Sequence, residues 1–151
     1  MVFVDFVLEN KRTKVIFPVL ERLVGNMNSY PLGDFLIRFK NMVLAGKKEF
    51  SVPRTKLIYA VAQCLKDLGY INEIKSEDKE LKVQIAYRRK QPVLIELSTI
   101  SRPGFRVYKS VDELVKRRKP STLILSTPLG VLSLKDALKK RVGGEVLLEI
   151  L

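Results

Sequence analysis

The sequence predicts an α+β chain, with an N-terminal α-β-α-β-β module followed by a mainly β C-terminal module that carries short helices. Three patterns predict it. Leu32, Phe35, Leu36, Phe39, Met42 and Val43 recur at the spacing of one buried helix face. Leu81, Val83, Ile85 and Tyr87 alternate with Lys82, Gln84 and Arg88, as in a strand buried on one side. Beyond residue 96 the apolar runs become short and are separated by turn residues.

Taken in order, the first helix ends at Gly46, and its other face offers Arg38, Lys40 and Asn41. Phe50 and Val52 make a short strand that Pro53 stops. A second helix covers Thr55–Leu68, with Gly69 as its C′ residue and Leu57, Val61, Cys64 and Leu68 along one apolar line. Tyr70–Lys75 reads as a strand and Ser76-Glu77-Asp78-Lys79 as a turn. The first module thus sets two helices on one face of a small sheet. Arg88-Arg89-Lys90-Gln91-Pro92 interrupts the pattern, and Val93–Ile100 resumes it as a strand entering the second module.

In that module Phe105–Tyr108, Leu123–Leu125, Val131–Leu132 and Val146–Leu151 read as strands. Short helices fall near Val111–Lys116 and Leu134–Lys140. Ser133 precedes the latter with Asp136 three residues on, a shortened capping box, and Gly143-Gly144 ends it. The expected modules are residues 30–96 and 97–151. Residues 1–29 form an N-terminal extension of unknown role, in which Val15, Phe17, Val19, Leu20, Leu23 and Val24 suit a modestly amphipathic helix broken early by Pro18.

A chain of 151 residues buries roughly 68–70% of its unfolded surface, enough for a core without staples. The 28 basic residues against 16 acidic ones leave a net charge of +12. Such an excess favours a polyanionic partner, because each neutralised phosphate releases counterions. Residues 97–151 hold 11 basic and 5 acidic groups, almost twice the positive density of the rest. Phosphate contacts are expected there first. Cys64 is alone, which excludes an intrachain disulfide and a cysteine metal site. No run approaches the roughly 18 apolar residues of a membrane span. Asp5 and Glu9 spoil a secretory or transit signal, so a reducing cytoplasm is the expected location.

Catalysis finds little footing. Without histidine, His-based triads and His metal sites are excluded. The carboxylates are dispersed, Glu77-Asp78 falls in a turn, and no glycine-rich phosphate loop opens a helix. The chain is therefore expected not to be an enzyme. A magnesium-dependent nucleic-acid-processing enzyme is the weakest alternative. The most informative stretch is Leu123–Leu132, where an apolar strand runs into Ser126-Thr127 and a turn closed by Gly130. Two small hydroxyls on rigid scaffolding suit hydrogen bonds to sugar hydroxyls and base edges. No general base lies beside them in the sequence to make a nucleophile. The competing reading is that they only satisfy turn backbone groups.

That stretch resembles the signature of the bacterial-type small-subunit ribosomal protein eight family. The signature is two aliphatics, Ser-Thr, two free positions, Gly, two aliphatics, four free positions and a small residue. Ile124, Leu125, Ser126, Thr127, Gly130, Val131, Leu132 and Ala137 meet it. Ser101–Tyr108 looks like the family's basic Pro-Gly hairpin, and Gly143-Gly144-Glu145-Val146 like its closing strand. Asp34–Asn41 and Ser51-Val52-Pro53 look like its first helix and first strand. The resemblance covers about Tyr30 to Leu151. Ser121 departs from the usual Gly or Glu, and Pro128 stands where the family often has a polar residue. Members usually begin just before the counterpart of Pro31, which makes Met27 a natural start. Residues 1–26 are then either a lineage-specific extension or a misread start.

The resemblance implies a structural constituent of the small ribosomal subunit that binds and stabilises its rRNA during assembly. It implies that Ser126 and Thr127, with Gly130, contact sugar–phosphate and base edges of an irregular rRNA helix. Glu145 either helps shape that site, accepting from a base or orienting a basic neighbour, or pairs at the surface with Lys140 or Arg141. Arg102, Arg106 and Lys109 flank the Pro103-Gly104 turn with Tyr108 between them, a pattern for phosphate contact plus stacking. Lys116-Arg117-Arg118-Lys119 is expected to track phosphate. Arg38, Lys40, Asn41, Lys47, Lys48, Arg54 and Lys56 form the first module's basic set, for further rRNA and neighbouring-protein contacts. The expected partners are small-subunit rRNA and adjoining ribosomal proteins, with no membrane and no cofactor beyond magnesium carried by the RNA. Repression of its own operon mRNA through a mimic of the rRNA site is the alternative role. A bacterial and an organellar ribosome both stay open as locations.

Overall fold

The computed structural model describes residues 30–151; the extension, its expected helix and Met27 lie outside the described residues. The first element is α1 (Pro31–Leu44), with Pro31 in the first turn, where its missing N–H is not needed. It buries Leu32, Phe35, Leu36 and Phe39. Strand β1 (Glu49–Pro53) adds Phe50, whose ring stacks on Phe35 and Phe39 with centroids 6.0 and 5.8 Å away. Helix α2 (Lys56–Asp67) is capped by Thr55, whose side chain accepts from the Ile58 N–H at 3.1 Å. Gly69 follows at φ +87°, the left-handed C′ conformation expected from sequence. The buried face of α2 is rotated from the expected line. Leu57 is exposed, and Ile58, Ala62 and Leu65 join Val61 and Cys64 inside. Burial pushes the Cys64 thiol up to about 11, as suits an inert packing residue.

Strands β2 (Ile71–Ser76) and β3 (Glu80–Ile85) complete an antiparallel sheet of order β1-β3-β2. Central β3 buries Leu81, Val83 and Ile85 in strict alternation, and α1 and α2 pack against the sheet. The interruption after Ile85 is a small hairpin of β4 (Tyr87–Arg88) and β5 (Gln91–Pro92). The expected strand over Val93–Ile100 shortens to β6 (Leu97–Thr99). Leu94 and Leu97 both point inward, an odd spacing that one alternating strand cannot satisfy. The irregular part is held instead by the N–H groups of Ile95 and Glu96, which both donate to the Leu151 carbonyl at 2.9 Å.

The C-terminal module contains β7 (Tyr108–Lys109), α3 (Val111–Lys116), β8 (Thr122–Thr127), β9 (Gly130–Ser133), α4 (Leu134–Lys140) and β10 (Gly144–Ile150). Its antiparallel sheet has the order β6-β10-β8-β9, with β7 also paired to β10. The strand expected over Phe105–Tyr108 is only β7, because Phe105 turns back to bridge Arg102. Helix α3 starts with a full Ser110–Glu113 capping box that the sequence reading missed. Helix α4 is capped by Ser133, which accepts from the Asp136 N–H at 3.3 Å and donates to its carboxylate at 2.8 Å. It ends at Arg141 in the left-handed conformation (φ 52°), not at the glycine pair. Gly143 and Gly144 serve close approach: a Cβ on either would overlap the backbone carbonyl of Lys109 or Ser126.

The α+β class therefore holds. One core runs from Leu32 and Phe35 through Leu81 and Leu97 to Ile124, Leu148 and Ile150, so both sheets pack on it. A smaller cluster of Leu114, Leu123, Leu125, Ala137 and Val146 fills the other side of the C-terminal sheet, beneath α3 and α4. This explains why Leu123, Ile124 and Leu125 are all buried in succession. Tyr30 ties the modules together, its hydroxyl donating to the Ser101 carbonyl at 2.8 Å. No helix of the described residues is long and apolar enough to cross a membrane.

Candidate nucleic-acid interface

The end of β8 sets the geometry. Ser126 lies opposite Val131 of β9 on one side and Glu145 of β10 on the other, and Glu145 lies opposite Tyr108 of β7. Residues directly opposite one another share a face, so Val131, Ser126, Glu145 and Tyr108 form one row across four strands. The missing side chain of Gly144 lets β10 close against the Ser126 carbonyl and keeps this row tight.

The two hydroxyls of the Ser-Thr pair do different things. Thr127 Oγ1 donates to the Gly130 carbonyl at 2.7 Å and accepts from the Leu129 N–H at 3.2 Å. It closes the turn, which is the structural reading of the pair. Ser126 is half-buried, and among the described residues its hydroxyl has no hydrogen-bond partner. Gly130 is exposed at φ +107°, a conformation that favours glycine.

Glu145 settles neither on Lys140 nor on Arg141. Its Oε1 accepts from Arg106 Nη1 at 3.0 Å, with the carboxylate the more enclosed partner. Arg106 leaves a hairpin whose tip is Pro103-Gly104, with Gly104 at φ +79°. The Arg102 and Phe105 backbones exchange N–H···O bonds of 3.0 and 2.9 Å across it. Its base is fixed by buried Ser101, whose hydroxyl accepts from the Val107 N–H at 3.0 Å. At the tip the Arg102 guanidinium sits 6.0 Å from the centre of the Phe105 ring. Phe105 and Tyr108 are 60% and 67% exposed, two aromatic faces beside three cations. From sequence Phe105 is expected only as a strand residue; its place after Pro-Gly, between Arg102 and Arg106, is the signal for an exposed tip aromatic.

The basic run divides. Lys116, Arg118 and Lys119 are exposed. Arg117 is not free to track phosphate, because its side chain is only 11% exposed and its guanidinium is committed internally. It donates to the Ser121 carbonyl and hydroxyl, each at 2.6 Å, and to Glu149. The Ser121 hydroxyl also donates to Glu149. That bond, with the nearby Lys119 and Arg117 charges, holds the Glu149 carboxyl below its ordinary pKa.

In the first module Arg38 is likewise engaged, pairing with Asp34 at 3.4 Å and donating to the Ser51 carbonyl at 3.1 Å. Lys40 is exposed and Asn41 half-buried on α1. Arg54 lies 6.0 Å over the Tyr59 ring, and it lines a shallow cleft with Lys56, Tyr59 and Asp78. These residues belong to the first module, not to the sheet that carries Ser126. The structure thus gathers Arg102, Phe105, Arg106, Tyr108, Lys109, Ser126 and Glu145 on β7, β8, β10 and the hairpin that precedes β7.

Comparison with known proteins agrees in extent. Residues 30–151 match the family model for ribosomal protein S8. The small ribosomal subunit protein uS8 of Nitratidesulfovibrio vulgaris is 40% identical over 121 residues, covering 80% of this chain and 96% of its own length. That of Pseudomonas aeruginosa is 46% identical over 121 residues, covering 78% and 93%. That of Paracidovorax citrulli is 40% identical over 124 residues, covering 79% and 95%. With the matched region spanning the whole described fold and nearly all of each relative, the chain belongs to the ribosomal protein S8 family.

Proposed function

We propose that the chain is a structural constituent of the small ribosomal subunit that binds small-subunit rRNA, docking the end of its C-terminal sheet on an irregular RNA helix. The supporting observation is Ser126, whose hydroxyl has no hydrogen-bond partner among the described residues, in a row with Glu145 and exposed Tyr108. A hydroxyl that both donates and accepts matches the 2′-hydroxyl and the base edges of a shallow groove. Arg102, Lys109, Lys116 and Arg118 supply salt-dependent attraction to phosphate. Tyr108 offers a face for stacking on a base or sugar. Thr127 acts through the turn it closes, Gly130 lets the backbone come close, and Glu145 orients Arg106. Lys40, Asn41, Arg54 and Lys56 serve further contacts with RNA or with adjoining proteins.

The test is binding to small-subunit rRNA and to a generic RNA duplex over a salt series. Ser126→Ala removes one hydrogen bond, worth roughly 1 kcal/mol or about fivefold in affinity. The loss is expected on the ribosomal RNA alone, with the salt slope unchanged. Equal binding of both RNAs by wild type and variant would leave only a non-specific basic protein.

A further inference from the structure

The contacts proposed above leave the β4–β5 hairpin without a role. A two-residue turn between antiparallel strands places both residues in the left-handed region, where Asn-Gly is preferred. Here Arg89 and Lys90 take those positions, at φ 51° and 66°. The left-handed conformation is unfavourable for residues with long side chains. The chain nevertheless holds two cations where a small neutral pair would fold more easily. Retained strain of this kind is a reason to look for a ligand.

The surroundings supply a second, independent observation. The Tyr87 hydroxyl donates to the Lys47 carbonyl at 2.6 Å, and the Ile85 N–H donates to the Lys48 carbonyl at 2.8 Å. These bonds tie the loop before β1 to the hairpin. Between them opens a cleft of about 540 Å³, flanked by Lys48 and Lys90. Asn72 and Gln84, hydrogen-bonded to each other at 2.8 Å, also line it, and among the described residues no carboxylate does. Arg88 and Arg89 line a shallower cleft with Gln91 and Pro92. Lys47, Lys48, Arg88, Arg89 and Lys90 are all exposed. Among the described residues none of the five is ion-paired, whereas Arg38, Arg106 and Arg117 are. Two acids stand nearby, Glu49 and Glu73, opposite Gln84 on the strands either side of it, and neither is among the residues lining the cleft.

We propose that the β4–β5 hairpin and the Lys47–Lys48 loop form a second anion site that grips the phosphodiester backbone of RNA without reading its sequence. The proposal rests on the RNA-binding reading above. Arg89 presents a planar fork to phosphate oxygens, while Lys48 and Lys90 act as point charges across the cleft. Such contacts position the protein and release counterions but do not distinguish bases.

The decisive variant is Arg89→Asn/Lys90→Gly, which removes two cations while installing the preferred turn pair. The full-length chain, this variant, Lys48→Gln and Ser126→Ala are titrated with small-subunit rRNA and with a generic RNA duplex over a salt series, and each is melted. The Asn-Gly variant is expected to melt no lower than wild type. It should bind both RNAs roughly tenfold more weakly near 0.1 M salt, with a slope shallower by about two. Lys48→Gln should lower the slope by about one. Ser126→Ala should lose affinity for the ribosomal RNA only. If the Asn-Gly and Lys48→Gln variants bind both RNAs like wild type while Ser126→Ala keeps its loss, the hairpin site is wrong and the Ser126 surface stands. If wild type shows no salt-dependent affinity for either RNA, both readings fall.

Discussion

Strand β10 carries two carboxylates, Glu145 near its start and Glu149 near its end, and each holds an arginine. The Glu145–Arg106 pair sits at the rim, with the arginine side chain 45% exposed. The Glu149–Arg117 pair is enclosed, and Ser121 completes it with a hydroxyl and a carbonyl. Similar ions on one strand thus have different work to do. An exposed pair contributes little to folding and leaves its cation near a ligand. An enclosed pair with its hydrogen bonds filled is part of the fold, and removing one partner leaves the other charge stranded.

The frame common to both pairs is the close approach of β10 to β8, and breaking it has the largest expected effect. Gly144→Ala would drive a Cβ into the Ser126 carbonyl, where only backbone can yield. We expect destabilisation of about 3 kcal/mol, read by urea unfolding, with loss of any binding that depends on Ser126. A variant as stable as wild type would mean that the row across β8, β10 and β7 is less rigid than its register implies.

Next comes the enclosed pair. Glu149→Ala strands the Arg117 guanidinium and should cost about 2 kcal/mol, a fall of several degrees in Tm. Binding measured well below the melting range should be nearly unchanged. Arg117→Gln should behave the same way, unlike the exposed Lys116 and Arg118, whose loss should lower the salt slope of RNA binding. If Arg117→Gln weakens RNA binding at full stability, the enclosed pair is also an RNA contact and the distinction fails.

Acid sharpens the contrast. The Ser121 hydrogen bond and the neighbouring cations hold Glu149 below its ordinary pKa in the folded state. Its contribution is therefore fully present above the unfolded value of about 4.3 and is lost as pH falls through the lower folded value. The stability gap between wild type and Glu149→Gln should be constant from pH 7 to about 5 and shrink toward pH 3. A gap that is flat across that range would show that the carboxylate charge contributes nothing to the clasp.

These long-range pairs are what the sequence could not display. Periodicity placed α1, and turn residues together with Ser133 and Asp136 placed α4, because those signals lie within one helix. The partners of Arg117 and Arg106 are 32 and 39 residues away, so a run of four basic residues looked uniformly free. The Ser-Thr signature marks a turn but not the division within it, which depends on Thr127 reaching the Gly130 carbonyl. The β4–β5 hairpin was unreadable for a related reason: Arg89-Lys90 carries none of the turn chemistry that Asn-Gly would announce.

The smallest expected effect tests the rim pair itself. In the free protein the Arg106 charge already has a counter-charge in Glu145, so few condensed ions need leave the RNA on its account. Arg102 has no such partner among the described residues; it lies over the Phe105 ring. Arg102→Gln should therefore lower the salt slope by about one, while Arg106→Gln should lower it by well under one. Glu145→Gln frees Arg106 and should restore the difference by steepening the slope, with its melting curve nearly superimposed on that of wild type. Equal slope losses for Arg102→Gln and Arg106→Gln would mean that the carboxylate swings away on binding. Glu145 would then hold Arg106 only until RNA arrives.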